Sequence, residues 1–393
     1  MNYRSRVARV AFVRVLALTV LVIFPVVLFA NHQSSTPMPT PSAADGGDKP
    51  IDASAKKEKR GSLIIAPIPI VSPAFGTGMI LGVGYIFKLN RSDKLSPASS
   101  VGLAGAFTNN GTHGGFLFGK LYFNENKYQT RFAVGKGKVN YDYFGIGRLP
   151  SSTPNDSVRI RQSGTIFFGE FMRNLGKEVF VGPRYQYRRI ESANDRMVPP
   201  GGFIVPDLDL HATTAAMGFR VLRDTTFGSF YPTSGTTFSF TADFFAKTLG
   251  SNRTYQSYKS YFNGYRSLGA KQVLAYRVMG CSVSERAPFY DLCFFGASSD
   301  LRGYTAGEVQ DRRMASTQVE YRRELKYRLG VVGFAGVGTV APTWSRMRFD
   351  DLLPAAGVGL RFNLDKKNHI NYRIDLGFGR NGHTLSMSVT EAF

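Results

Sequence analysis

The feature that most constrains this chain is an alternation of period two that recurs through residues 61–393. Segments of about 10 residues alternate apolar side chains with polar or small ones, and Gly, Asn, Asp, Pro and Lys separate the segments. In residues 236–244, for example, Phe238 and Phe240 fall on one face of a strand and Ser239 on the other. No stretch has helical periodicity, so the pattern predicts one large all-β unit.

The N-terminal region has a different composition. Four arginines within residues 1–14 precede an apolar run over residues 15–30, and this run is shorter than the roughly 20 residues that a membrane-spanning helix needs. We therefore interpret residues 1–30 as a cleaved signal peptide. Residues 31–60 are rich in Ser, Thr, Pro, Ala and Gly and predict a disordered periplasmic tail.

An exported sheet of this length, in a chain that is 13% aromatic, indicates an outer-membrane barrel with aromatic girdles. Because backbone groups in hydrocarbon must all be paired, such a sheet has to close on itself. We predict a closed antiparallel transmembrane β-barrel over residues 61–393. Its sixteen strands are expected near 62–71, 76–88, 99–108, 113–123, 128–139, 158–174, 179–190, 211–223, 236–247, 257–268, 271–283, 313–325, 330–341, 355–364, 369–380 and 384–393.

The last alternating segment is expected to place Leu385, Met387 and Phe393 on the lipid-facing side. An aromatic residue at the end of such a strand is typical of the C-terminal recognition signal of outer-membrane proteins. The plainer alternative is that a strand happens to end in an aromatic residue.

The 49 basic residues exceed the 28 acidic ones, which gives a formal charge of +21. A basic excess favours anionic partners. The charges are spread through strands and turns without a compact basic helix, so we do not expect nucleic acid as a partner. Outer-membrane lipids, including lipopolysaccharide, and charge lining the lumen explain the excess better.

One long break in the strand pattern, about residues 284–311, contains Leu301-Arg302-Gly303-Tyr304. This segment resembles the Arg-Gly loop of the bacterial surface antigen superfamily, which includes the BamA and TamA assembly barrels. Ala297 stands where a second glycine is more usual. Residues 231–235 (Tyr-Pro-Thr-Ser-Gly) and 357–361 (Gly-Val-Gly-Leu-Arg) resemble further motifs of that family. The resemblance covers residues 61–393, and it implies a sixteen-stranded barrel with this loop folded into the lumen.

A guanidinium inside a barrel needs acidic partners, because an unpaired desolvated charge is costly. The inward face of its strand makes Glu320 the candidate partner of Arg302. In the family a second acid lies in a Phe-x-Asp-x-Gly strand, but here Phe334 is followed by Gly336 at that position. The ion pair is therefore expected to be reduced or rebuilt with another group. The alternative is that the Arg-Gly-Tyr segment is an ordinary surface turn.

Cys281 and Cys293 are the two cysteines, and both flank the start of this loop. In an oxidising compartment they predict a disulfide at the loop base, with inert buried thiols as the alternative. Neither their number nor their spacing suggests a metal site, and we expect no cofactor.

The sequence does not predict an enzyme. Its five histidines are scattered singly, and the Gly-x-Gly-x-x-Gly pattern at residues 377–382 is not followed by a helix, as a nucleotide site requires. A hydrolase built from a distant serine and His383 is the enzyme alternative.

The resemblance implies that the barrel assists insertion or translocation of polypeptide or lipid, through a weakly paired seam between its first and last strands. The family's assembly members carry periplasmic POTRA modules before the barrel, whereas here only residues 31–60 precede it. A passive pore or structural surface-antigen barrel is therefore the alternative. A third interpretation is that a separate periplasmic or outer-membrane protein supplies those modules.

Overall fold

The computed structural model describes residues 61–72, 74–90, 92–93, 95–147, 157–194, 211–228, 230–296, 300–366, 369–380 and 382–393. The predicted signal peptide and tail lie outside these residues, as does Ala297. The described part of the chain contains no helix that is long and apolar enough to cross a membrane.

Sixteen antiparallel strands form one sheet, as the alternation predicted, and each strand is paired with the next one along the sheet. Two further short strands, β12 and β13, pair with each other inside the loop between β11 and β14. The bounds are β1 Gly61–Ser72, β2 Gly76–Phe87, β3 Ser99–Thr108, β4 His113–Phe123, β5 Tyr128–Tyr143, β6 Val158–Asn174, β7 Val179–Asn194, β8 His211–Asp224, β9 Gly235–Phe245, β10 Tyr255–Gly269, β11 Gln272–Val283, β12 Cys293–Phe295, β13 Val309–Asp311, β14 Arg313–Glu324, β15 Leu329–Ala341, β16 Leu353–Asp365, β17 Ile370–Gly379 and β18 Gly382–Val389.

The two faces of the sheet differ as a membrane barrel requires. In β14 the side chains of Gln318, Glu320 and Arg322 are buried inside, whereas Val319 is 46% exposed and Tyr321 36% exposed on the outside. This alternation puts charge in the lumen and apolar surface toward lipid.

The two ends of the barrel also differ. Connections at residues 124–127, 175–178 and 270–271 are short, whereas those at 144–157 and 284–312 leave the opposite end and are long. Outer-membrane barrels have short periplasmic turns and longer extracellular loops. We therefore call the first end the periplasmic end and the second the extracellular end.

The seam between β1 and β18 is not held by a backbone ladder among the described residues, although the two strands lie side by side. One hydrogen bond near it joins the Tyr372 hydroxyl on β17 to the Pro69 carbonyl on β1, at 3.2 Å. The sheet is therefore a nearly closed barrel whose first and last strands meet without regular pairing.

The last strand is shorter than predicted. β18 ends at Val389, Thr390 takes a left-handed conformation with φ of 72°, and the chain then turns into the lumen. The prediction that Phe393 faces lipid at the end of a strand is wrong. Its ring is buried with Tyr265 and Ala275, because two inward arginines and a buried acid at Glu391 provide partners that lipid cannot. Its role as a recognition signal stays a prediction.

A large apolar cluster lies inside the extracellular end of the barrel. It joins inward side chains at the extracellular ends of the strands, such as Ile70, Tyr141 and Val340, to loop residues such as Phe289 and Phe295. The lumen is therefore filled by side chains at this end, and the loop between β11 and β14 supplies part of that core.

Candidate functional site

The candidate site is the loop at residues 284–312, which we call the lumen loop, and the barrel wall that it contacts. Its tip is buried inside the barrel: Leu301, Arg302 and Tyr304 are each 3% exposed or less. Leu301 and Gly303 both have positive φ, of 41° and 132°, so the tip makes a sharp reversal there. This location excludes the surface-turn interpretation of the Arg-Gly-Tyr segment.

Arg302 forms two ion pairs with the barrel wall. Its guanidinium contacts Glu320 on β14, the partner that the sequence suggested, and lies 2.7 Å from Asp375 on β17. The same group sits over the ring of Phe334, 3.7 Å from its centroid. All three partners are buried, so the charge is matched by two carboxylates and an aromatic face in place of water.

These groups belong to a larger arginine network, defined as Arg302, Arg322, Arg361, Arg373, Glu320, Asp375 and Glu391. Every member is at most 3% exposed. Nitrogen–oxygen distances are 2.6 Å for Arg322–Glu320, 2.6 Å for Arg361–Asp375, 2.7 Å for Arg361–Glu391 and 3.3 Å for Arg373–Asp375. The network thus joins the lumen loop to β14, β16, β17 and the segment after β18.

Asp375 is the residue that sequence reasoning missed. Its inward position was visible in the alternation, and so was that of Arg361, but nothing in one sequence indicates that a residue 73 positions away meets Arg302. The expectation that the ion pair is rebuilt with another group agrees with this contact. Gly336 itself faces Leu301: a Cβ there would lie 3.0 Å from the Leu301 side chain and 2.4 Å from the Thr317 carbonyl. The absence of an acidic side chain at Gly336 therefore leaves room for the Leu301 side chain.

Glycines on the inner wall make room for the rest of the loop tip. A Cβ on Gly377 would lie 2.7 Å from the Gly303 nitrogen, and one on Gly379 would lie 2.6 Å from the Gly303 oxygen. A Cβ on Gly338 would meet the Leu301 side chain at 2.9 Å. Real Cβ atoms do not approach other atoms this closely, so the wall of β15 and β17 is shaped to receive the backbone of the tip.

Polar contacts hold both sides of the tip. The Tyr304 hydroxyl donates to the Pro354 carbonyl at 2.7 Å and accepts from the Arg380 amide at 3.1 Å. Before the tip, Asp300 lies 3.1 Å from the Arg277 guanidinium on β11. The loop is therefore fixed to walls on both sides of the lumen.

The base of the loop has its own anchors. Cys281 on β11 and Cys293 form a disulfide with a Cα–Cα distance of 5.6 Å. Asp291 accepts hydrogen bonds from Arg188 on β7 and Tyr255 on β10. Burial alone raises the pKa of Asp291, but Arg188 and the Tyr255 hydroxyl outweigh it and hold that pKa below its ordinary value. The carboxylate is therefore charged at neutral pH.

Toward the periplasmic end the lumen contains a chamber of about 610 Å³. It reaches from Cys293 down to Thr226, Pro232 and Phe393. Its basic lining comprises Lys120, Arg131, Arg184, Arg188, Arg220, Lys259 and Arg277. Lumen-loop residues line its extracellular side, so among the described residues this chamber lies beneath the loop.

The described residues contain no group of three or more His, Cys, Asp or Glu side chains that could hold a metal ion.

Comparison with solved structures shows the same fold in barrels with very different sequences. BamA from Haemophilus ducreyi lacking POTRA domains 1–3 superimposes with a TM-score of 0.55 at 14% identity, over 85% of this chain and 71% of that one. CdiB from Acinetobacter baumannii gives 0.55 at 11% identity over 84% and 60%, and CdiB from Escherichia coli gives 0.54 at 10% over 85% and 67%. This chain thus spans 60% of the length of the first CdiB.

No curated protein matches the chain in sequence. Residues 90–365, well over half of the chain, match the Omp85 superfamily domain. Together with the sixteen-stranded barrel and the loop folded into its lumen, this match confirms the resemblance seen in the motifs: the chain belongs to the Omp85 superfamily and is an outer-membrane β-barrel.

Proposed function

We propose that this barrel assists the insertion or transport of polypeptide or lipid at the outer membrane, with the lumen loop as an internal lock. The observation that carries the proposal is the pinning of Arg302 by Glu320 and Asp375 inside the barrel. Breaking the ion pairs of a buried guanidinium with two carboxylates costs several kcal/mol, as is needed for a loop that must keep a pore closed.

The seam supports the same proposal. β1 has twelve residues but β18 has eight, and no ladder joins them among the described residues. Unpaired strand edges are templates for the pairing of another chain. A substrate strand could therefore be accommodated at this seam at lower cost than at any paired position in the sheet.

A passive pore is the second candidate, and the basic chamber of 610 Å³ favours it. The chamber lining carries seven basic side chains against three acidic ones, Asp224, Asp300 and Glu391. Five of the arginines are paired with carboxylates, but the remaining basic excess would still attract small anions. The two candidates differ in whether the loop must stay in place for the barrel to remain closed.

Reconstitution of the purified barrel in planar bilayers separates them. We compare wild type with Arg302→Ala and with a deletion of residues 296–307, and use Arg286→Ala as control because Arg286 is an exposed arginine of the same loop. A lock predicts a mostly closed wild type and control, and stable large pores in the two loop variants. Steady conductance that is equal in all four proteins would contradict the lock and favour the passive pore.

A conductance result does not by itself show assembly activity. Purified barrel in liposomes should therefore also be tested for accelerating the folding of an unfolded outer-membrane protein, with empty liposomes as control. No acceleration by wild type, together with intact gating by the loop, would leave a gated pore and exclude insertion of polypeptide for that substrate.

A further inference from the structure

A depression of about 720 Å³ lies on the outer wall of the barrel across β2 to β6. Its apolar walls include Leu81 and Phe107, which are 51% and 52% exposed. Gly105 and Gly115 form its floor, and Lys136 and Lys138 line one side. The feature combines an apolar surface with two cations, and the lumen loop takes no part in it.

The packing of the barrel does not require these glycines. A Cβ on Gly105 would come no closer than 3.8 Å to any neighbour, and one on Gly115 no closer than 4.0 Å. Other outward positions on the same strands carry large apolar side chains, such as Leu103 and Leu117. The depression therefore results from side chains that are missing where the fold would accept them.

The two lysines have no acidic partner in the described residues: neither lies within 4.0 Å of a carboxylate there. The outward acid nearest along β5, Asp142, is already paired with Arg159 at 3.2 Å. Two unmatched cations beside an apolar surface fit a ligand with an anionic head and an apolar tail.

Their height in the barrel indicates which ligand this is. Lys136 and Lys138 are 8 and 10 residues after Tyr128, where β5 leaves the periplasmic turn. With a rise of about 3.3 Å per residue and a strand tilt of about 40°, this puts them roughly 20–25 Å above that turn. The apolar band of an outer-membrane barrel is about 25 Å tall. Both lysines therefore reach the level of the outer-leaflet phosphate groups. The strand registers pair Lys136 with Gly115, Gly115 with Gly105 and Gly105 with Leu81, so the apolar surface lies directly beside the lysines.

We propose that this depression binds a phosphorylated lipid of the outer leaflet. One acyl chain lies over Gly105 and Gly115 between Leu81 and Phe107, and the phosphate contacts the lysine pair. The proposal depends on the outer-membrane location alone, so it stands or fails independently of the lock and of insertion activity.

The test measures lipid binding to the detergent-purified full barrel by native mass spectrometry, with bis-phosphorylated lipid A as probe. The head-group variant is Lys136→Gln with Lys138→Gln. Its matched control is Lys247→Gln with Lys271→Gln, which removes two exposed lysines from loops. Each membrane-surface lysine contributes roughly a fivefold effect, so we expect about ten- to thirtyfold weaker binding in the head-group variant and no change in the control.

The acyl arm uses Gly115→Leu, with Gly333→Leu as control, because a Cβ at Gly333 is also outward and meets nothing within 4 Å. Filling the depression should weaken binding of lipid A severalfold, and the control should not. For every variant, retention of the barrel is checked by the shift in gel mobility between heated and unheated samples.

Two further probes identify the source of the phosphate. Dephosphorylated lipid A with the same acyl chains should bind wild type as weakly as lipid A binds the head-group variant. Inorganic pyrophosphate alone should bind at least tenfold more weakly than lipid A. Equal binding of lipid A to wild type and to the head-group variant would overturn the proposal, as would binding of pyrophosphate as tight as that of the lipid.

Discussion

Replacing Asp375 by alanine tests whether the rebuilt ion pair stabilises the barrel. Asp375 lies 2.7 Å from Arg302, 2.6 Å from Arg361 and 3.3 Å from Arg373. Without it, Arg302 keeps Glu320 and Arg361 keeps Glu391, but Arg373 loses the one carboxylate that lies within 4.0 Å of it in the described residues. Removal of one member of a buried pair costs about 3–5 kcal/mol, because a desolvated charge is left behind.

Because the lumen chamber lies nearby, we expect the lower end of that range, about 3 kcal/mol, for Asp375→Ala. With an unfolding entropy of about 2.1 cal/mol/K per residue, this corresponds to a fall of roughly 4 °C in the unfolding midpoint of a chain of this size. Asp375→Asn keeps an acceptor oxygen and should lose about half as much. Circular dichroism at the β-sheet band in detergent, with rising temperature, measures both.

Asp350→Ala is the matched control, because Asp350 is exposed on the loop between β15 and β16. The control should change the midpoint by less than about 1 °C. If Asp375→Ala falls within about 1 °C of wild type, the arginine network is not a stabilising unit and the reasoning is refuted. The double variant with Gly336→Asp should not recover stability, since Leu301 and the Thr317 carbonyl occupy the space of that side chain.

Three further changes test other parts of the site. Gly379→Ala places a methyl group 2.6 Å from the Gly303 oxygen, so the loop tip should be displaced and single-channel openings should become more frequent. The control Gly333→Ala meets no neighbour within 4 Å and should gate like wild type. Equal gating of the two variants would show that the position of the tip does not depend on the glycines of the inner wall. Cys281→Ser with Cys293→Ser removes the disulfide at the loop base, and for a closed loop of 12 residues the loss of stability should be about 3 kcal/mol. The variant should therefore have a lower unfolding midpoint than oxidised wild type, and reduced wild type should match the variant. A reduced wild type that unfolds like the oxidised one would contradict this role of the disulfide. The pKa of Asp291 is lowered in the folded barrel, so its contribution is fully present above its unfolded value of about 4 and is lost as pH falls through the lower folded value. Protease sensitivity of residues 284–312 should therefore be low in wild type at pH 7 and rise in acid, whereas Asp291→Asn should be sensitive already at pH 7. An Asp291→Asn variant as resistant as wild type at pH 7 would oppose this role of the carboxylate.

Period-two alternation was enough to predict the barrel because lipid and lumen impose opposite polarity on successive residues. Most strand bounds agree within two residues, for instance β6 at Val158–Asn174. The predicted end of the fifth strand at residue 139 was too early, since β5 continues to Tyr143. In this extension the apolar Tyr141 and Tyr143 face the cluster beneath the loops and the polar Asp142 faces outward, so the polarity of the two faces is reversed there.

The site could be predicted only in part. A motif located Arg302, and the facing rule located Glu320, because both depend on short-range order in the sequence. The contact with Asp375 depends on how the sheet curves around the lumen from β14 to β17, and no local sequence pattern predicts that curvature. Gly336 shows the same limit: the motif comparison suggests a missing acid at this position, whereas the structure shows that the Leu301 side chain occupies the space beside it.

The inward turn after Val389 shows where alternation misleads. Leu385 and Met387 follow the pattern, but the next buried charge, Glu391, lies 2.7 Å from Arg361 and its other oxygen accepts from Asn371. A charged side chain facing lipid is unfavourable, while two inward partners satisfy it fully, so the chain leaves the strand and carries Phe393 with it. The one residue that broke the alternation was therefore the signal that the strand ends, and it also explains why β18 is too short to pair along the whole of β1.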